Sequence, residues 1–289
     1  MSAAPSPPET KNGLQTLLED PWFELMAFDG FRDQIESLPD GAQISVTASP
    51  ELGIDATIEK TTVAAERGYT ASPHLAARYV RSTTHLEDIV GRLREAGVTN
   101  VFVPAGDLNS PDGPYESADN LLMALDEMDQ PFEDIGITGY PEGHPFLDAD
   151  TLAEAMSLKI PHATYIVTQL CFDPGHILDW IRHLRDERDV HLGVAVGVPG
   201  VLKYQRLLRI AHKVGVGNSI RFLRKTTGLL EFGRRLFGSW STKYTPDDLV
   251  DGLAPHAHDP TLNLRGLHLY TFNQVDDTEE WRQDRLQSQ

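Results

Sequence analysis

Short apolar runs alternate along this chain with longer stretches in which apolar residues recur at helical spacing. The short runs are rich in β-branched and aromatic residues, which favour strands. They cover residues 23–28, 42–48, 69–75, 100–106, 135–140, 163–170, 191–198 and 266–272. Between them the spacing is helical, as where Leu86, Ile89, Val90 and Leu93 share one face before Gly97. The pattern predicts eight units of strand followed by helix.

This repetition predicts an α/β protein with a single (β/α)8 fold, a TIM barrel. Eight units in about 260 residues match the usual size of that fold, and strands apolar on both faces are typical of a sheet covered by helices. An open doubly wound sheet is the main alternative, but no GxGxxG follows the first strand and the first two helices are short. Residues 216–262 exceed one helix and predict extra helices between strands seven and eight.

The predicted domain organisation is one barrel with a short leader. Residues 1–13 are rich in proline, lack apolar periodicity and are expected to be disordered, whereas residues 14–289 form the barrel. No apolar run reaches the roughly 20 residues of a membrane helix, and the N-terminus has no signal-peptide pattern, so we expect a cytoplasmic protein. The single cysteine, Cys171, lies in an apolar run and is expected to be a buried small hydrophobic residue.

The charge balance limits the class of partner. The formal net charge is -18. Proteins that bind nucleic acids or anionic membranes usually carry clusters of Lys and Arg, not an excess of acidic residues. We therefore expect a small-molecule ligand, no nucleic acid and no membrane partner. The sequence leaves the oligomeric state open.

Polar side chains gather at the ends of the predicted strands, the face where TIM barrels carry their active sites. Glu24 interrupts an apolar strand, where a carboxylate is costly unless it is paired or functional, so it is the best candidate for an acid. The segment GYPEGHP, residues 139–145, is expected to form one wall of a pocket. The full candidate set is Glu24, Thr47, His74, Asp107, Tyr140, Glu142, His144, Gln169, Tyr204 and Asn273.

Several candidates also have a purely structural interpretation. Glu24 could face solvent at a strand end, and Asp107, which follows Pro-Ala-Gly, could be a turn residue or a helix cap. His74 and His144 could be core histidines that a backbone carbonyl satisfies.

A metal site is not expected. His74, Glu142 and His144 raise the question, but no His-x-His or HExxH spacing occurs in the barrel region. His256 and His258 have such spacing in the long insertion, where a solvated loop is expected. An unrelated metal-dependent barrel hydrolase therefore stays a distant alternative.

Specific motifs occur along the chain in barrel order. They are FELM (23–26), SVTAS (45–49), SPHLAAR (72–78), GD (106–107), GYPEGHP (139–145), TYIVTQLCFD (164–173), GVPGVLKYQRL (197–207) and HLYTFN (268–273). Together they resemble the methylenetetrahydrofolate reductase family from about residue 22 to about residue 275. The resemblance implies reduction of 5,10-methylenetetrahydrofolate to 5-methyltetrahydrofolate, a step of one-carbon metabolism and methionine biosynthesis. The hydride normally passes from NAD(P)H through bound FAD.

The resemblance also implies roles for single residues. Glu24 matches the glutamate that helps protonate the folate amine and open its ring to an iminium cation. Asp107 matches the aspartate whose charge stabilises that cation. Gln169 matches the glutamine that holds the pterin, and Tyr204 takes the place of an aromatic residue that stacks. Thr47 and Asn273, from their positions at strand ends, are expected to bind substrate as well.

This sequence departs from the family pattern where flavin binds. The family usually has an arginine two residues before the strand-four aspartate, where this chain has Ala105. The family's basic cluster on helix five falls on Glu154, Ser157 and Leu158, and only Lys159 is basic there. Because phosphate binding depends on Arg, Lys or helix N-termini, FAD is doubtful. The chain resembles the short members of the family that pass hydride directly from NADH to the folate.

The favoured function is therefore a flavin-independent reductase that uses NADH or NADPH. In that case His74, Tyr140, Glu142 and His144 would line the cofactor-binding side of a space that nicotinamide and pterin share. A conventional FAD-containing reductase and a folate-binding barrel without turnover are the alternatives.

Overall fold

The computed structural model describes residues 12–213 and 243–288, and its centre is a barrel of eight parallel strands. They are β1 (Trp22–Met26), β2 (Gln43–Thr47), β3 (Thr70–Pro73), β4 (Asn100–Val103), β5 (Asp134–Gly139), β6 (Tyr165–Thr168), β7 (Gly193–Pro199) and β8 (Leu264–Tyr270). Their order in the sheet is β3, β2, β1, β8, β7, β6, β5, β4. A parallel bridge between His74 and Phe102 joins β3 to β4. The predicted TIM barrel and its eight strands are confirmed.

Helices follow the strands and cover the outside of the barrel. They are α1 (Gly13–Leu18), α2 (Phe31–Ile35), α3 (Gly53–Glu66), α4 (Thr83–Glu95), α5 (Ala118–Asp126), α6 (Ala149–Lys159), α7 (Pro174–Arg188), α8 (Tyr204–Lys213), α9 (Asp247–Leu253) and α10 (Val275–Gln287). Side-chain caps fix two helix starts near the candidate site. Asp148 accepts from the Thr151 amide, and Asp173 accepts from the Gly175 and His176 amides.

Two predictions at the margins of the barrel meet the structure only in part. The stretch 216–262, for which extra helices were predicted, overlaps residues 214–242, which lie outside the described residues. In the described part, α8 and α9 both lie between β7 and β8, where a regular strand–helix unit of this fold has a single helix. The predicted leader 1–13 is described only at Asn12 and Gly13, where Asn12 forms a capping box with Gln15 and starts α1.

The strands are buried on both faces, which explains their evenly apolar composition. Outward-facing residues such as Phe23, Leu25 and Ile44 pack against the helices and are at most 1% exposed. Cys171 is fully buried among them, as predicted. Within the described ranges, no helix has the length and apolar character needed to span a bilayer.

A polar network closes the amino-terminal end of the barrel. Arg265 forms two hydrogen bonds with Asp134, at 2.9 and 2.5 Å, and its guanidinium carbon lies 4.6 Å from the centre of the Tyr165 ring. The Tyr165 and Ser72 hydroxyls both donate to Asn100 Oδ1 at 2.8 Å. With this end filled, a ligand reaches the barrel interior from the carboxyl ends of the strands.

Candidate active site

Glu24 lies inside the barrel and contacts two histidines. Its neighbours Phe23 and Leu25 point outward, so strand alternation turns the Glu24 carboxyl inward. Glu24 Oε2 lies 3.1 Å from His268 Nε2 on β8 and 3.5 Å from His74 Nε2 just after β3. The Glu24 side chain is 15% exposed, so the interpretation as a solvent-facing strand end does not describe it. The structure brings Glu24 and His74 together.

The two histidines are held by buried neighbours. The His74 Nε2 lies 2.9 Å from the Ser45 hydroxyl, and its ring meets the Phe102 ring edge-on at 4.7 Å between centroids. Burial lowers the pKa of His74 to about 4, although the Glu24 carboxylate opposes the shift. His74 is therefore a neutral imidazole at neutral pH. His268 has only 3% of its side chain exposed.

His268 was missed by sequence reasoning, although it lies in a strand and a motif that were both identified. The run GLHLYTF alternates, which places His268 and Tyr270 on one face. Nothing local indicates which partner from another strand a side chain will meet. The same limit applies to metal ligands: Glu24, His74 and His268 come from three strands, and their ligand atoms lie within 4.8 Å of one another. Ligand spacings such as His-x-His and HExxH indicate only metal ligands that lie on one helix or strand, so they could not reveal this cluster.

Asp107 follows β4 on the carboxyl face of the barrel and is held by a tyrosine. The Tyr79 hydroxyl donates a short hydrogen bond to Asp107 Oδ1. Burial raises the pKa of Tyr79, and its hydrogen bond with Asp107 raises it further. Gly106 makes this approach possible, because a Cβ at that position would lie 2.7 Å from the Tyr79 ring and its φ is +90°. Asp107 is exposed and fixed in orientation, which suits a charge presented to a ligand.

Three predicted substrate residues, Gln169, Thr47 and Asn273, lie at strand ends, and each forms a hydrogen bond within the protein through its side chain or backbone. The Oδ1 atom of Asn273 accepts from the Met26 amide at 3.1 Å, so Asn273 caps the end of β1. Gln169 is half-buried, and its Oε1 accepts from the Leu170 amide at 2.8 Å. Thr47 ends β2, half-buried, and its carbonyl accepts from Thr57 at 3.0 Å. All three lie on the carboxyl face of the barrel.

Tyr204 lies in an apolar cluster beside the barrel mouth. It begins α8, is 3% exposed and meets Tyr244 edge-on at 5.7 Å between ring centroids. The half-buried rings of Tyr270 and Phe272 pack against the same cluster and stack on each other at 6.3 Å. Tyr204 is thus buried in this cluster, whereas Tyr270 and Phe272, which follow from β8, are only partly buried.

The GYPEGHP segment lines a separate groove of about 380 Å³ between α6 and α7. Tyr140, Glu142 and His144 form its upper edge, and Tyr140 meets His144 edge-on at 5.2 Å. Apolar residues of both helices, including Trp180, form its walls. Burial lowers the pKa of His144. The loop was predicted to form one wall of a pocket, and the pocket that it lines extends outside the barrel.

Tyr270 connects this groove to the carboxyl group inside the barrel. Burial raises the pKa of Tyr270, and the charges of Glu24 and Tyr140 raise it further, so both lie within electrostatic range of its hydroxyl. The Tyr270 hydroxyl donates to the Thr168 carbonyl at 2.8 Å. The two regions are therefore parts of one face of the barrel.

The α6 side of the groove carries no accessible cation. Glu154, Ser157 and Leu158 are exposed, and Lys159 is 6% exposed with its Nζ donating to the Thr138 hydroxyl at 2.9 Å. Burial lowers the pKa of Lys159 to about 8. The basic residues that line the groove, His183 and Arg188, belong to α7.

Comparison with known proteins adds a family and several related folds. The family model described as methylenetetrahydrofolate reductase matches residues 2–221. An uncharacterized protein from Clostridium thermocellum, which binds two copies of 5-methyl-5,6,7,8-tetrahydrofolic acid, has a TM-score of 0.58 and 9% identity over 95% of this chain and 98% of its own. At that identity the likeness shows the fold alone.

Two further structures align with lower scores. A GH18 chitinase from Pseudoalteromonas aurantia has a TM-score of 0.48 and 12% identity, covering 92% of this chain and 99% of its own. Oxaloacetate acetylhydrolase in complex with the product oxalate has a TM-score of 0.49 and 10% identity, covering 94% of this chain and 83% of its own.

Proposed function

The chain belongs to the methylenetetrahydrofolate reductase family, and from this premise we propose that it reduces 5,10-methylenetetrahydrofolate to 5-methyltetrahydrofolate with a hydride taken directly from NADH or NADPH. The observation that carries the proposal is the Glu24 carboxyl group inside the barrel, in contact with two buried imidazoles. The similar Clostridium thermocellum protein binds a methylated reduced folate, which supports the view that a barrel of this shape accommodates such a ligand.

Glu24 would act on the first step, the opening of the five-membered ring of the folate. An aminal opens when one of its nitrogens is protonated, so the site must deliver a proton in a place with little water. The hydrogen bond between Glu24 Oε2 and His268 Nε2, 3.1 Å long, can hold a proton at either atom until the substrate takes it. His74 limits the freedom of the same oxygen from the other side.

Asp107 would act on the cation that ring opening leaves behind. An iminium ion is stabilised by an anion that is already oriented, because no reorganisation is then needed when the charge develops. The Tyr79 hydroxyl fixes Asp107 by a hydrogen bond, and the positive φ of Gly106 directs the backbone into this contact.

The groove between α6 and α7 would hold the remote part of the dinucleotide, which supplies the hydride. Its volume of about 380 Å³ lies within the range of small-ligand pockets. Tyr140, Glu142 and His144 would contact the dinucleotide at the upper edge, and Trp180 offers a flat surface for a heterocycle. Tyr270, which lies within electrostatic range of both Glu24 and Tyr140, would with the stacked Phe272 ring help to exclude water from the site of hydride transfer.

FAD fits these residues poorly. At the α6 positions that match the family's basic cluster, no accessible cation is available to the FAD pyrophosphate, because Lys159 is buried against Thr138. The pyrophosphate of NAD(P)H would instead meet His183 and Arg188 on the α7 side of the groove. At position 105, where the family usually has arginine, Ala105 has no charge to offer. These features support direct hydride transfer from NAD(P)H to the folate.

The test begins with the visible absorbance of the purified protein and its oxidation of NADH and NADPH with methylenetetrahydrofolate, with and without FAD. We expect a colourless protein that oxidises the nucleotide only when the folate is present. A yellow protein with a separate nucleotide half-reaction would favour the FAD-containing alternative. Folate binding without turnover under all these conditions would favour a non-catalytic barrel.

The assignment of Glu24 is tested by Glu24→Gln, with Glu66→Gln as the matched control on the exposed end of α3. Loss of the acid should lower turnover by at least about 100-fold, whereas the control should stay within about twofold of the wild type. An active Glu24→Gln variant would remove Glu24 from the mechanism.

A further inference from the structure

We propose that Glu24, His74 and His268 form a site for a divalent transition-metal ion of the zinc class, and that the bound ion inhibits the enzyme. The binding site stands on the geometry of the three side chains alone. The inhibition rests on the proposed function, because it requires Glu24 to act as the acid.

Two of the three distances between the ligand atoms match those around zinc, namely those from Glu24 to each histidine. Glu24 Oε2 lies 3.1 Å from His268 Nε2 and 3.5 Å from His74 Nε2, and all three atoms lie within 4.8 Å of one another. Zinc binds nitrogen and carboxylate oxygen at about 2.0–2.2 Å, so neighbouring ligands of a tetrahedral ion are separated by about 3.3–3.5 Å. Glu24 already meets this spacing with each histidine to within a few tenths of an ångström. The two imidazole nitrogens lie within 4.8 Å of each other and would move together around the ion as it binds.

The chemical types of the ligands favour zinc and its neighbours in the first transition series. Two imidazoles and one carboxylate suit these ions, whereas magnesium and calcium prefer oxygen ligands throughout. Three protein ligands leave a fourth position for water, as in catalytic zinc sites. The Ser45 hydroxyl, 2.9 Å from His74 Nε2, would have to rotate away when that nitrogen binds the ion.

The surroundings hold the ligands in place before an ion arrives. Each comes from a different barrel strand or strand end, and the Glu24 carbonyl accepts from Thr271 at 2.6 Å. Phe102 packs edge-on against His74, and the Tyr270 ring lies 5.2 Å from the His268 ring. A preformed site loses little conformational entropy on binding. The acidic net charge of -18 also raises the local concentration of cations.

Inhibition follows because the ion and the proton use the same atoms. An ion bound to Glu24 Oε2 and His268 Nε2 occupies both positions at which the site would hold the proton for ring opening. The ion takes no part in oxidation or reduction, and chelation reverses its effect. Zinc should therefore lower turnover and compete with the proton.

The experiment titrates the unmodified full-length protein with Co²⁺ and Zn²⁺. Visible absorption of bound Co²⁺ reports nitrogen and oxygen ligation, and a chromophoric chelator measures the Zn²⁺ stoichiometry. We expect one ion per chain in a site that His268→Asn and His74→Asn each weaken by about 100-fold. His256→Asn with His258→Asn is the matched control, since it removes the His-x-His pair of the insertion and should leave both binding and activity unchanged.

Several outcomes overturn the proposal. The metal site is wrong if the unmodified protein gives no Co²⁺ band, or if the control pair and not His268 removes the binding. Inhibition is wrong if the reductase keeps full activity with the site saturated by Zn²⁺. One bound ion in a protein that never reduces folate would leave the metal site standing and reject the proposed function, so the two failures are distinguishable.

Discussion

Replacement of the buried Lys159 by methionine should change how the stability of the protein depends on pH. Lys159 ends α6 with 6% of its surface exposed, and its ammonium group donates to the Thr138 carbonyl at 3.2 Å and hydroxyl at 2.9 Å. Burial lowers its pKa from 10.5 to about 8, although the charge of Asp119 opposes the shift. Methionine keeps most of the side-chain volume and removes the charge.

The sign and size of the effect follow from this shift. Between about pH 8 and 10.5 the unfolded chain holds the lysine proton and the folded protein does not, so the free energy of unfolding rises with pH across that window. The full shift corresponds to about 3 kcal/mol, of which about 2–3 kcal/mol appears between pH 8 and pH 10. Lys159→Met should lack this rise.

The assay is urea denaturation of the wild type and Lys159→Met at a series of pH values from about 7.5 to 10, with exposed Lys203→Met as the control. The difference between wild type and variant removes the contribution of tyrosines, which is common to both. Parallel curves would refute the reasoning, because Lys159 would then titrate as an exposed lysine. It would also be available to a phosphate in the groove, and the argument against FAD would be weakened.

Three further substitutions test the site and the barrel. Asp107→Asn should lower the rate of hydride transfer by about 100-fold in single-turnover measurements, and a mild effect would reduce Asp107 to a structural cap. Gly106→Ala should give a similar loss of turnover, because the new Cβ would lie 2.7 Å from the Tyr79 ring and displace the hydroxyl that orients Asp107. Unchanged activity would show that the contact with Tyr79 is dispensable. Gly136→Ala should lower stability by about 1–3 kcal/mol in urea denaturation, since its Cβ would lie 2.5 Å from Tyr165, and wild-type stability would contradict this packing.

The fold was predictable because each strand is buried on both faces. In β4 (Asn100–Val103), every residue after Asn100 lies between the barrel interior and the helices and is apolar, which separates the strand from its amphipathic neighbours. Strand ends were less certain. The run 100–106 continues past the end of β4 at Val103, because Pro104 and the positive φ of Gly106 turn the chain out of the sheet.

The candidate site was predictable only where a polar residue interrupts an otherwise apolar stretch of sequence. Glu24 gave such a signal, since a carboxylate in an apolar strand is costly without a partner. Its partner His268 gave no comparable signal. His268 alternates with Leu267 and Leu269 in a strand distant in sequence, and only closure of the barrel brings it beside Glu24. The same closure joins His74 to Phe102 and completes the pair of imidazoles.

The sequence also could not divide the strand-end residues between the barrel interior and its outer surface. Alternation makes neighbouring positions face opposite sides: Gly139 faces Trp180 on α7, and the Tyr140 side chain that follows it lies at the edge of the groove. In the proposed function the remote part of the dinucleotide lies in this groove, and its nicotinamide must reach the barrel interior, because a hydride donor and its acceptor have to lie about 3–3.5 Å apart. The two parts of the site then act together only when both ligands are bound. That arrangement favours a ternary complex over transfer through a bound carrier.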